Sequence, residues 1–331
     1  MNRWLKKPEG ANWGEFGDDD RTGRMNLITP RHRQQALAEA REGRVFVLSL
    51  PLDHPRGGIF PGRHAPSLEP TIARDGRTMY DWTVVGAIDV VNDDRVTMDL
   101  QYSTQWDGLS HYGIRFDADG DGVAEHIFYN GFRSDRDFVQ PGPDREPRAL
   151  ALGIEHLAMT GVQGRGVLVD IRDYGRGPHQ LVDFEGLQAA MQAQGAEVRE
   201  GDFLCLYTGY ADLLLRDGAD VDMEALAVCP GLQGGDPALL RWIDESGLAA
   251  ICADNPMVEK IEGVQRCEDA ALLPLHEHCL VKLGIHLGEL WWFGELAAWL
   301  RANRRSAFLL TAPPLKLPGA VGSPATPVAT V

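Results

Sequence analysis

The sequence is short of cations and has no long apolar run. Lys and Arg number 32 against 48 Asp and Glu, a formal net charge of −16. That balance argues against a nucleic-acid binder, because phosphate binding needs clustered cations that release counterions. The one basic clump, "RANRR" at 301–305, closes a predicted helix, where cations oppose the helix dipole. No stretch approaches the ~20 apolar residues of a membrane helix. The opening "MNRWLKKPEGANWGEF" has basic residues but lacks the apolar region of a secretory signal. The expectation is a soluble, cytoplasmic protein with no membrane partner. Five cysteines make an odd count with no Cys-x-x-Cys pair, so neither a disulfide framework nor a zinc knuckle is suggested. Cys205, Cys252 and Cys279 lie in apolar stretches and read as buried, inert thiols. No Walker or dinucleotide fingerprint is present, since the glycines of "GRGVLVDIRDYGRG" lack the required order. Internal repeats and low-complexity blocks are also missing.

What is present is ample apolar material: 44% of 331 residues, enough for one large core. Thr29 and Pro30 open a helix that the pattern ends near Gly43. An apolar, β-branched run follows at 45–52, then a long Pro/Gly-rich connection, then two predicted strands at 82–91 and 95–102. Beyond Pro141 short apolar strands (166–171, 202–207, 248–254, 306–312) alternate with helices at 183–194 and 236–246, which Asp183 and Asp236 would cap. Such alternation predicts an α/β core. The Pro/Asp/Arg-rich segment 139–148 reads as a linker or a surface loop.

Two regions carry chemistry. In "QYSTQWDGLSH" (101–111), extended geometry would put Gln101, Gln105 and Asp107 on one face, with His111 on the turn that follows. A carboxylate beside a histidine suits a metal with a general base, and equally a hydrogen-bonded loop cap. Downstream, "LHEHCLVKLGIHLGELWWFGELAAWL" (275–300) gathers His276, Glu277, His278, His286 and Glu289, residue types that bind Zn²⁺ or Mn²⁺, without the i, i+4 His pair of a helical zinc motif. Trp106, Tyr112, Trp291 and Trp292 flank these stretches. Lining a pocket, they would favour a flat, partly apolar substrate; the alternative is core packing. In "DADGDGVAEHIF" (117–128), Asp117, Asp119, Asp121 and Gly122 stand at calcium-loop positions, but Phe128 occupies the place of the bidentate Glu, so a hairpin tip is the expectation and calcium is left open.

Together these regions resemble the cyclase superfamily that includes bacterial kynurenine formamidase and isatin hydrolase. The family signature, His-x-Gly-Thr-His-x-Asp-x-Pro-x-His, falls on residues 101–111 with Gln101 and Gln105 at the first two histidines, Ser103 at the Gly, Thr104 at the Thr, Asp107 at the Asp, Leu109 at the Pro and His111 at the last His. The likeness continues through "WGEFGDDDRTGRMNLITP", "YNGF", "GRGVLVDI", "LYTGY", "ADNPMVE", the 275–300 block and "PPLKLPGAVGSPATPVA", and it is nearest to the branch with Gln-Trp-Asp in place of His-x-Asp.

This resemblance implies a single swivelling β/β/α domain over 1–331, usually a homodimer, that hydrolyses small cyclic or aryl amides, imides or lactones. It also implies metal ligands at Gln105, Asp107, His276 (or His278) and Glu289 and a base at His111, with Gln101 on the metal or just behind it; Gln101 and the flanking aromatics Trp106 and Tyr112 are the candidate substrate contacts. Amide oxygens in place of two imidazoles suit harder ions such as Mn²⁺ over Zn²⁺. Either the site is a weak divalent centre, or it holds no metal and Asp107 and His111 act as an acid–base pair in a cyclase, dehydratase or isomerase. A non-catalytic binding protein on the same fold is the third reading.

Overall fold

The computed structural model describes residues 3–56, 59–218, 222–262, 267 and 270–331. Its centre is a sheet of nine strands: β1 (Val45–Val47), β2 (Gln105–Asp107), β3 (Gln163–Asp170), β4 (Phe203–Tyr207), β5 (Ala250–Ala253), β6 (His286–Glu289), β7 (Ala307–Thr311), β8 (Gly322–Pro324) and β9 (Val328–Thr330), in spatial order β1-β9-β7-β3-β4-β5-β6-β2-β8. From β3 to β6 neighbouring strands run parallel, and every other pairing is antiparallel. The parallel strands read as continuous apolar runs because both faces are covered. On one face pack α2 (Phe184–Gln194), through Leu187, Ala190 and Met191, and α3 (Pro237–Ser246), through Leu239 and Ile243. On the other packs α4 (Gly294–Ala302), through Leu296, Trp299 and Leu300.

The predicted caps form. Asp183 accepts from Gly186 N at 2.9 Å, and Asp236 accepts from Ala238 N at 3.0 Å ahead of Pro237. The first helix, α1 (Pro30–Leu37), starts on Thr29 as expected but stops short of Gly43, because the chain peels away to let Glu42 N donate to Val331 O at the end of β9. The apolar run at 45–52 pairs in the sheet only over β1; beyond it Leu48 N donates to Pro327 O and Leu50 N to Thr104 Oγ1. Cys205, Cys252 and Cys279 are fully buried.

The region predicted as two long strands is different. Ser67–Pro70 pairs with Asp94–Thr97, and Trp82–Thr83 with Val90–Val91, as short hairpins of an arm that stands away from the sheet. With no sheet face to cover them, Leu68 (72% exposed), Val85 (81%) and Ile88 (98%) lie in solvent. Segment 139–148 forms a surface hairpin in which Phe138–Val139 pairs with Arg148–Ala149. The acidic stretch 117–122 is the tip of the hairpin Ile114–Phe116/Glu125–Ile127, where Asp117 pairs with Lys6 (3.1 Å) and Asp119 with Arg133 (2.8 Å). No helix among the described residues is long and apolar enough to cross a membrane.

Candidate metal centre

Strand register builds the site. β2 lies between β6 and β8, with Gln105 opposite Glu289 and Asp107 opposite Leu287. Because side chains alternate along a strand, Gln105, Asp107 and Glu289 project from the same face of the sheet. His276 arrives on that face from the short helix Pro274–His276, which continues into a π-helical turn, Glu277–Leu283.

The four side chains converge at depth. His276 Nε2 stands 3.3 Å from Glu289 Oε1 and 4.0 Å from Asp107 Oδ2, and Gln105 Nε2 donates to Glu289 Oε2 at 2.9 Å. All are buried, Asp107 and Gln105 completely. One ligand atom each from Asp107, His276 and Glu289 fall within 4.8 Å of one another. Both Asp107 carboxylate oxygens, Glu289 Oε1 and Gln105 Oε1 have no hydrogen-bond partner among the described residues. Buried carboxylate oxygens left so carry a desolvation cost of several kcal/mol, which a coordinated cation offsets. Three oxygen-bearing side chains and one imidazole fit a divalent ion such as Mn²⁺ or Zn²⁺.

Glu259, to which the sequence reading gave no role, stands behind the imidazole. Its Oε1 accepts from His276 Nδ1 (2.8 Å) and His276 N (3.0 Å), and its Oε2 from Leu275 N (3.1 Å). The contact with Nδ1 fixes the ring so that Nε2 faces Asp107 and Glu289, the orientation carboxylates impose behind metal-bound histidines, where the metal displaces the Nε2 proton. Burial opposes charge on His276, but its hydrogen bond to Glu259 and the Glu289 carboxylate 3.3 Å from Nε2 push it up to about 10. Burial and the Asp107 carboxylate push Glu289 up to about 7 against the pull of His276. The cluster is thus short of positive charge. Backbone strain marks the same place: Val258 (φ 58) and Leu290 (φ 53), each beside one of the acids, sit in the left-handed region that bulky residues rarely adopt. "ADNPMVE" was legible as a motif, but its pairing with a residue on another segment was not.

Outward from the cluster lie the half-buried residues. His111 Nε2 is 3.8 Å from Asp107 Oδ1, and the Gln101 amide nitrogen is 3.5 Å from His111 Nδ1. The Tyr112 ring centroid lies 5.4 Å from that of His276. Gln101 is outside β2, so it meets the site through His111 instead of as a third residue of the strand face.

Two expectations are corrected. Trp106 points to the opposite face of β2 from Gln105 and Asp107: it is wholly buried, packs edge-on against Trp291 and donates to Ala312 O at 2.7 Å, so it is a core residue turned away from the cluster. Trp291 belongs to the same core. His278, two positions past His276 on a helical segment, faces α3 and misses the cluster; burial pulls it down to about 4. His286 is also buried and pulled down to about 4, with Nδ1 3.2 Å from Asp107 O.

The family model for putative cyclases matches residues 46–260. A crystal structure described as a novel cyclase superposes with a TM-score of 0.77 at 32% identity, covering 97% of each chain. Isatin hydrolase A from Ralstonia solanacearum gives 0.54 at 15% identity over 91% of this chain and 98% of its own. An isatin hydrolase bound to the product analogue thioisatinate gives 0.55 at 12% over 92% and 99%. No curated protein matches the sequence. On the family match and the 32% relative, the chain belongs to the cyclase family.

Proposed function

We propose that the protein hydrolyses a small cyclic amide, imide, lactone or aryl formamide, with a divalent ion (Mn²⁺ or Zn²⁺) held by Asp107, His276 and Glu289 and with Gln105 Oε1 as a further oxygen donor. The observation that carries this reading is the convergence of these buried atoms, four of them without a hydrogen-bond partner among the described residues. A divalent ion there supplies Lewis acidity toward a carbonyl and makes water more acidic. His111, at the outer edge beside Asp107, takes the proton of the attacking water and returns it to the leaving nitrogen or oxygen as the C–N or C–O bond breaks, giving an acid and an amine or alcohol. For that role the Gln101 amide must present its oxygen to Nδ1–H, leaving Nε2 as the acceptor; amide orientation is set by such networks. The half-buried Tyr112 walls the same opening beside His276. The isatin hydrolases that share the fold support the reaction class without fixing the substrate.

Metal analysis of protein purified without chelator, with a hydrolysis panel of lactones, imides and formamides, tests this. The expectation is about one ion per chain and turnover that His111→Ala lowers by 10²-fold or more, with metal content unchanged. Wild-type turnover in that variant refutes the base. Chelator-resistant turnover would establish instead the metal-independent cyclase, dehydratase or isomerase, which the two glutamines at histidine positions favour; no turnover on any substrate would favour the binding protein. The proposal extends to a homodimer, in which a second copy covers the apolar arm around Leu68, Val85 and Ile88. A monomeric mass in solution refutes that part.

A further inference from the structure

Arg63 lies on the Pro/Gly-rich connection at the root of the arm, beside the outer edge of the site where Gln101 stands. Its Nη1 donates to the backbone oxygen of Gln101 at 2.8 Å, and Gln101 touches His111, which touches Asp107. The guanidinium carbon lies 4.5 Å over the Phe60 ring, so the head group is held from two sides while the residue remains half-buried. Its charge acts on Glu289, which places it near the cluster. The neighbouring Asp99 already accepts from the His64 backbone and ring. Among the described residues no carboxylate lies within ion-pair distance of Arg63, and Gln101 O is its one hydrogen-bond acceptor. A fixed guanidinium with free N–H donors, at the edge of a site that holds two acids, is matched to a planar carboxylate through two parallel hydrogen bonds.

We propose that Arg63 is a specificity-determining residue that binds a carboxylate, so that the site takes small aromatic molecules carrying an acid group. The inference rests on the reading of the site as one for a small carbonyl compound. It does not require that the site hydrolyse its ligand.

The test is calorimetric binding of benzoate and of its neutral counterpart benzamide to the Mn²⁺-supplemented protein, compared with Arg63→Met and Arg63→Lys. Benzoate should bind the wild type more tightly than benzamide. Arg63→Met should weaken benzoate about tenfold, equivalent to ~1.4 kcal/mol, and leave benzamide unchanged, while Arg63→Lys restores part of the loss. Unchanged melting of both variants, expected for a half-exposed side chain, separates this from misfolding. Equal benzoate affinity in wild type and Arg63→Met, equal loss for both ligands, or no benzoate binding by the wild type overturns the proposal. Charge-selective binding in a protein that hydrolyses nothing upholds Arg63 and rejects the hydrolase; hydrolysis indifferent to Arg63 does the reverse.

Discussion

Glu259→Gln separates a positioning carboxylate from mere packing, because the substitution keeps shape and removes charge. Glu259 accepts three N–H groups in a buried place. A glutamine can keep two of them by placing its oxygen where Oε1 stands, and its NH₂ then faces Leu275 N–H, donor against donor. One charge-strengthened bond is lost and a buried N–H is orphaned, a cost of about 1–3 kcal/mol, visible as a melting point lower by a few degrees. The imidazole also loses the carboxylate that holds its tautomer and raises its basicity, so metal affinity should fall roughly 10–100-fold. Competition with a fluorescent chelator measures the second effect and calorimetric melting the first. Gly234→Ala is an independent route to the same result: a methyl group there would collide with Glu259 Oε2 and push the carboxylate off its three donors. Wild-type metal affinity in Glu259→Gln would refute the claim that Glu259 acts through His276.

Asp107→Asn should stabilise chelator-treated protein by about 1 kcal/mol or more, read as a higher melting temperature, since it removes a buried carboxylate charge that has no hydrogen-bond partner among the described residues and only the distant imidazoles of His111 and His276 (3.8 and 4.0 Å) beside it; the same variant should bind no metal, and a lower melting point would contradict this. Trp106→Phe should destabilise by about 1–3 kcal/mol through the lost bond to Ala312 O and a cavity beside Trp291, with KM unchanged; an altered KM would restore Trp106 to the pocket. Burial pushes Asp254 up to about 7 despite its bonds to Thr208 and Gly209. Its folded pKa is above the unfolded value, so the native state keeps a proton that the unfolded chain releases. That contribution is complete below pH ~4, the ordinary aspartate range, and is lost as pH rises through about 7. Denaturant titrations should show the pH slope flattened in Asp254→Asn, and an unchanged slope would assign it to other groups.

The parallel strands and their capped helices were legible because local signals and burial agree there: Asp183 and Asp236 stand one residue before periodic helices, and the apolar runs lie between covered faces. The arm was misread for the opposite reason. Val90 and Val96 have strand-forming side chains, but strand length depends on a neighbouring sheet that the arm lacks. Asp107, His276 and Glu289 were found through the family resemblance. Glu259 and Arg63 were not, since one acts from behind a ligand and the other sits in a loop with no periodicity. Alternation along β2 could have removed Trp106 from the site residues, because it lies between two residues assigned to the opposite face.

Gln105 and Glu289 are 184 positions apart in the chain, yet they face each other across adjacent strands. A cation seated there would act as a clip across most of the polypeptide, and the closure entropy of such a span grows only with the logarithm of its length. Its capture can begin only once the last third of the chain has been laid beside the first. Ion uptake during refolding would therefore time the completion of the sheet.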